Sequence, residues 1–129
     1  MYSKEQIEAA HKKVKNGADF QKYVKELLAM EVKSHEVSLT DGSWTFKGKD
    51  GGRLSWIHGP SDIVAAALPS QRVFKLIWKD HQNGVTDYLT FCREAGMSGV
   101  ERWVTDFENG TVTYYDRHGG VVSVEKIRE

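Results

Sequence analysis

The chain contains one stretch twice. Residues 19–56 align without a gap with residues 87–124, at a constant offset of 68 positions. Eight pairs are identical: Asp19/Asp87, Glu26/Glu94, Val32/Val100, Gly42/Gly110, Thr45/Thr113, Gly51/Gly119, Gly52/Gly120 and Ser55/Ser123. Further pairs are conservative, such as Tyr23/Phe91, Lys25/Arg93 and Phe46/Tyr114. Turn glycines and aromatic positions coincide, which marks an internal duplication. Whatever architecture one copy adopts, the other must adopt as well.

Each copy reads as two helices and three strands. Ser3 with Gln6 fits a capping box, in which each residue satisfies an orphan amide of the helix start. Ile7, Ala10 and Val14 share one face of that helix. Asn16-Gly17 suits its end, because both residues tolerate left-handed backbone. Asp19 then caps a second helix, where Phe20, Tyr23, Val24, Leu27 and Leu28 form an apolar stripe. Alternation from Val32 to Leu39, and again around Trp44–Phe46 and Leu54–Trp56, predicts a three-stranded meander. Asp41-Gly42 predicts a type I′ hairpin with positive φ at both residues. His35, Val37, Leu39, Trp44, Phe46, Leu54 and Trp56 form its inward face. In the second copy Ser70 and Thr86 or Asp87 start helices. Strands follow at about 100–107, 111–115 and 121–126, with Asn109-Gly110 as the matching hairpin turn. The inward residues there are Trp103, Phe107, Val112, Tyr114, Val122 and Val124, with Thr105 in the slot of Val37. Residues 57–69 join the copies, and Pro60 and Pro69 bracket an expected short helix over 62–68.

The fold expectation is therefore α+β: two helix-helix-meander units related by pseudo-twofold symmetry, with helices on one face of the sheet. The 129 residues form one domain in this reading, with repeat one at about 3–56, a crossover at 57–69 and repeat two at about 70–127. Whether the meanders make one sheet, two sheets or a barrel stays open at this level.

Charge balances at 18 basic against 18 acidic residues, so no broad electrostatic footprint for nucleic acid is expected. The longest nearly apolar run, 63–68, is too short to span a bilayer. The polar, amphipathic first residues do not read as a signal peptide. A single cysteine, Cys92, excludes an intramolecular disulfide and fits a reducing compartment. A soluble cytoplasmic protein is the expectation.

The segments TDYLTFCREAGMSGVERW (86–103), TVTYYDRHGG (111–120) and QIEAAHKKVKNGADFQKYVKEL (6–27) resemble a family of small bacterial proteins of unknown function. Members occur partly in prophage regions, and some are labelled phage envelope protein-like. The resemblance covers essentially the whole chain. It departs from the family pattern at Leu89, where proline is preferred, and near Ala95, where some members carry a second cysteine. It implies a prophage-related origin and no defined activity.

Residue chemistry points the same way. Cys92 lies on an apolar stripe and reads as a small buried hydrophobe. The five histidines show no metal-ligand spacing, so neither a metal nor a cofactor is expected. No glycine cluster follows a strand and opens a helix as a phosphate loop does. Asp106 and Asp116 read as solvated strand carboxylates rather than a catalytic pair. No catalytic constellation emerges.

What separates the copies is the outward sheet face. With two-residue first turns and three-residue second turns, the register aligns Glu36, Lys47 and Arg53 in one meander. The equivalent row in the other is Val104, Tyr115 and Val121, all apolar. An aligned apolar row invites a cover. The leading functional expectation is a non-catalytic interaction protein, a homodimer or adaptor docking through Val104, Tyr115 and Val121. The alternative is a small-molecule-binding protein or enzyme with a pocket where the halves meet, near His35, Trp56, His58 and Trp103.

Overall fold

The computed structural model describes residues 2–14 and 17–127. Its order is α1 (Lys4–Lys12), α2 (Gly17–Ala29), β1 (Val32–Ser38), β2 (Ser43–Gly48), β3 (Arg53–Ile57), α3 (Gln71–Gln82), α4 (Tyr88–Met97), β4 (Val100–Asp106), β5 (Thr111–Asp116) and β6 (Val121–Lys126). The class is α+β, and the helix-helix-meander unit occurs twice, as the duplication requires.

Caps fix the helix starts. Ser3 and Gln6 form the capping box, and Ser70 and Asp87 accept from Val73 N–H and Thr90 N–H. The second helix starts at Gly17, so Asp19 lies in its first turn and favours the positive end of the helix dipole instead of capping it. Asn16, read as half of the stop signal for α1, lies outside the described residues.

The six strands form one antiparallel sheet in the order β3-β2-β1-β4-β5-β6. Its centre is the pairing of β1 with β4, in which His35 faces Thr105, Glu36 faces Val104 and Val37 faces Trp103. Glu36 and Val104 are themselves repeat partners, so this pair lies on the pseudo-twofold axis. The helices and the inward sheet residues share one core, from Ile7, Leu27, Phe74 and Cys92 to Trp44, Phe46 and Val122. All four helices therefore cover the same sheet face.

Three expectations change. The first hairpin turns are four-residue loops, because Ser38 precedes and Ser43 follows the loop while Val37 pairs with Trp44. Only Gly42 and Gly110 take positive φ, at 73° and 68°; Asp41 and Asn109 do not. The longer loop seats Leu39 and Phe107 in the core, at 1% and 3% exposure, and that burial outweighs the two-residue turn preference. Secondly, Val124 faces outward, 54% exposed, because a bulge between Tyr114 and Tyr115 shifts β6 by one residue. Thirdly, the crossover is extended, not helical. Ile63 and Ala65 alternate inward, and Ala66 N–H donates to the Gly96 carbonyl, 2.9 Å away. A period of two suits a segment that lies along a surface better than a helix does.

The crossover explains a difference between the repeats. Glu31 and Gly99 occupy equivalent positions after the second helix of each unit, and both take positive φ, 65° and 100°. At Gly99 a Cβ would stand 2.4 Å from Pro69 Cα, so only glycine fits. The equivalent site in repeat one has no such neighbour to exclude a side chain, and Glu31 carries only the left-handed strain. Glu31→Gly should stabilise the protein by about 1 kcal/mol, whereas Gly99→Ala should cost more than about 2 kcal/mol. Urea denaturation of both variants checks this, and opposite signs at equivalent positions are the expected result.

Candidate functional site

Position 35 sets the character of repeat one. A histidine stands there in the slot that Trp103 fills in repeat two, and the sheet register points it at the helices beside Phe46. His35 stacks on Phe46 at 4.0 Å and meets Trp44 edge-on at 4.7 Å. His58, arriving from the crossover, stacks on Trp44 at 3.7 Å. His11, from α1, lies 4.8 Å from Trp44 and 5.5 Å from His58. Three histidines from three separate segments thus surround one indole, whose Nε1 donates to the Tyr88 hydroxyl at 3.3 Å. Trp56 stacks on Phe46 at 5.2 Å, with the Lys4 ammonium 5.6 Å over its ring.

Of the four residues expected to line a pocket, the fold gathers His35, Trp56 and His58 around Trp44 and Phe46. Trp103 belongs to a second aromatic group, 5.6 Å from both Phe91 and Tyr114. His11 and Trp44 are the members the sequence did not single out. Helical periodicity places His11 beside the core, but only the docking of α1 brings it to a histidine 47 positions away.

Electrostatics keeps this cluster neutral. His35 is 8% exposed and its Nε2 has no hydrogen-bond partner among the described residues. Burial, with His11 and His58 nearby, pushes its pKa down to about 3. Burial also lowers His11 and His58; His58 is held down further by Lys4, while Glu8 opposes. Neutral imidazoles packed on aromatic faces act as aromatic filling. The Cys92 thiol is pushed up to about 11 by burial, which removes it as a nucleophile at neutral pH. Asp106 and Asp116 are turn caps: their Oδ1 atoms accept backbone N–H groups of Glu108 and Asn109, and of His118 and Gly120. Among the described residues no group of three or more His, Cys, Asp or Glu side chains is placed to hold a metal ion.

Two open depressions of about 290 Å³ each lie elsewhere. One runs beside the crossover, between Thr40, Asp62, Glu101 and Arg117. The other runs between α2, at Val24, Lys25 and Leu28, and the 107–110 turn.

The opposite sheet face carries the expected apolar residues in a different register. Tyr115 does pair with Val121, but the four-residue loop sets Arg102, not Val104, across from Tyr115. Val104 stands one row over, opposite Thr113, which pairs with Val124. The two rows are Arg102–Tyr115–Val121 and Val104–Thr113–Val124. Arg102 lies 4.0 Å over the Tyr115 ring, and Val121 and Val124 are 60% and 54% exposed. In repeat one, Lys47 pairs with Ser34 and Arg53, and Glu36 with Thr45.

Among known families, the one described as protein of unknown function (DUF1398) matches residues 8–126, and the chain belongs to it. The chain matches no curated protein. No described helix is long and apolar enough to cross a membrane.

The histidine cluster fixes a pH dependence. His35 has its pKa depressed in the folded state, from 6.5 to about 3, so the unfolded chain binds the proton more readily. Stability from this group is complete above pH 6.5 and falls as pH drops toward 3. The loss over that window is on the order of a few kcal/mol. His35→Leu removes the unpaired Nε2 and should flatten the acid limb. Urea midpoints at pH 7 and pH 4 should differ less for the variant than for the parent.

Proposed function

We propose that this protein is a non-catalytic interaction module, of the prophage-related kind its sequence resembles, that pairs as a homodimer through the outward face of its second meander. One observation carries the reading: the helices all lie on one side of the sheet, and the other side of repeat two presents Val104, Tyr115, Val121 and Val124 with no layer over them among the described residues. Antiparallel sheets tolerate a solvated face when it is polar. The outward face of repeat one carries Lys47, Arg53 and Ser55 with one exposed apolar residue, Ile57; that of repeat two gathers Val104, Tyr115, Val121 and Val124 around Arg102 and Thr113. Second meander on second meander is the favoured pairing. Placing repeat two against repeat one would bury Lys47 and Arg53, and desolvated charges are costly; repeat two brings Arg102, which is already stacked on Tyr115. A cytoplasmic location fits the single, buried thiol.

The alternative of a ligand pocket at His35, Trp56, His58 and Trp103 has less support, since His35, Trp56 and His58 pack against Trp44 and Phe46, Trp103 stands in a separate aromatic group, and neither open depression is lined by them.

The test is mass in solution. The parent should scatter as a dimer of its 14.6 kDa chain, and Val104→Lys/Val121→Lys should scatter as a monomer with an unchanged far-UV spectrum. A monomeric parent, or a variant that stays dimeric, overturns the homodimer.

A further inference from the structure

The duplication supplies an internal template for the depression beside α2. Its walls are the second helix of one repeat and the first hairpin turn of the other. The equivalent walls, 68 positions away, are α4 and the 39–42 turn. They meet in the structure: a Cβ at Gly96 would lie 4.0 Å from Leu39 Cδ1. That equivalent groove is filled by the chain's own crossover. Gly59 and Pro60 pass over Gly42, so that a Cβ there would stand 2.4 Å from the Gly59 carbonyl oxygen. Asp62 pairs with Arg93 at 3.7 Å, Ile63 covers Gly96, and Ala66 N–H donates to the Gly96 carbonyl.

Each anchor has a counterpart at the open groove. Lys25 replaces Arg93, lines the groove, and forms no ion pair among the described residues. Leu28 replaces Gly96; its carbonyl accepts from Glu31 N–H, and a carbonyl oxygen has a second lone pair to offer. Gly110 replaces Gly42 and has no described atom within 4 Å of its Cβ position. Ile127 N–H donates to the Gly110 carbonyl as Gly59 N–H does to that of Gly42, so the chain reaches the mouth of both grooves at the same point. Two substitutions alter the specificity. The Leu28 side chain occupies space that Ile63 takes over Gly96, so a smaller residue is required. Glu108, in the slot of Thr40, lines the groove and disfavours a second acid.

We propose that the groove between α2 and the 107–110 turn is a docking site for an extended peptide segment in which one acidic residue is followed by a small apolar residue. The acid pairs with Lys25, the small side chain rests on Leu28, and the backbone N–H three residues after the small one reaches the Leu28 carbonyl, as Ala66 follows Ile63 in the template. The site lies at the helix layer, away from the outward sheet face, and does not depend on dimerisation.

The probe is a fluorescein-labelled peptide of residues 62–67 with Ile63→Ala, titrated with the full chain and read by anisotropy. Saturable binding with Kd below about 1 mM is expected. Lys25→Glu should weaken it at least 10-fold, and an Asp62→Lys version of the peptide should recover that loss on the Lys25→Glu protein. The unaltered Ile63 peptide should bind the parent more weakly, and Leu28→Ala should restore it. Absence of saturable binding overturns the proposal. So does binding that survives Lys25→Glu but is lost in Arg93→Glu, since the peptide would then be exchanging with the native crossover. The dimer reading is untouched by either result, because its readout is mass without peptide.

Discussion

The pairing of β1 with β4 is the contact on which the rest of the fold depends. Each repeat alone offers a three-stranded meander with one apolar face and two bare edges. Joining the β1 and β4 edges antiparallel, about an axis through the Glu36–Val104 pair, removes one edge from each and makes a single six-stranded sheet. An axis perpendicular to the sheet leaves both repeats with the same face up. The four helices must then share one side, and their residues merge with the sheet into one core. The uncovered opposite face is a consequence of the same symmetry. Repeat one meets water there mainly with charge and hydroxyl groups, repeat two mainly with valine and tyrosine.

Symmetry is broken where the chain crosses from one repeat to the next. Residues 59–69 lie along α4, and the sequence beneath them has adapted: Gly96 and Gly99 stand where repeat one has Leu28 and Glu31. A glycine that looks like a weak point in α4 is where Ile63 docks. The groove beside α2 is the same structural niche with a leucine as its floor. The two cores also differ. Repeat one packs His11, His35 and His58 about Trp44, while repeat two packs Phe74, Phe91 and Trp103 about Tyr114. The histidine core is stable only while its imidazoles are neutral, which couples the fold to acid pH.

Legibility followed the range of the interactions. Helix caps, apolar stripes and strand alternation are local, so Ser3, Ser70, Asp87 and the strand faces of β1, β2, β4 and β5 could be read directly. Register could not. Asp41-Gly42 and Asn109-Gly110 carry the chemistry of a two-residue turn, but the core's demand for Leu39 and Phe107 lengthened both loops and moved Val104 a row away from Tyr115. Copy-to-copy comparison failed at β6 for a similar reason. Ser55 and Ser123 are identical partners, yet Ser55 faces outward in a regular register while the bulge turns Ser123 into the core.

By itself the sequence determined the repeated helix-helix-meander unit, most of the membership of its core outside β6 and the crossover, and the glycine positions of its turns, because those follow from periodicity and local backbone preference. Tertiary structure alone decided that the meanders fuse into one open sheet, that the crossover is extended, and which residues share a row or a groove. Those features depend on contacts between segments far apart in the chain, such as Glu36 with Val104, His11 with His58 and Ile63 with Gly96. No local pattern encodes them. They exist only once both copies are folded against each other.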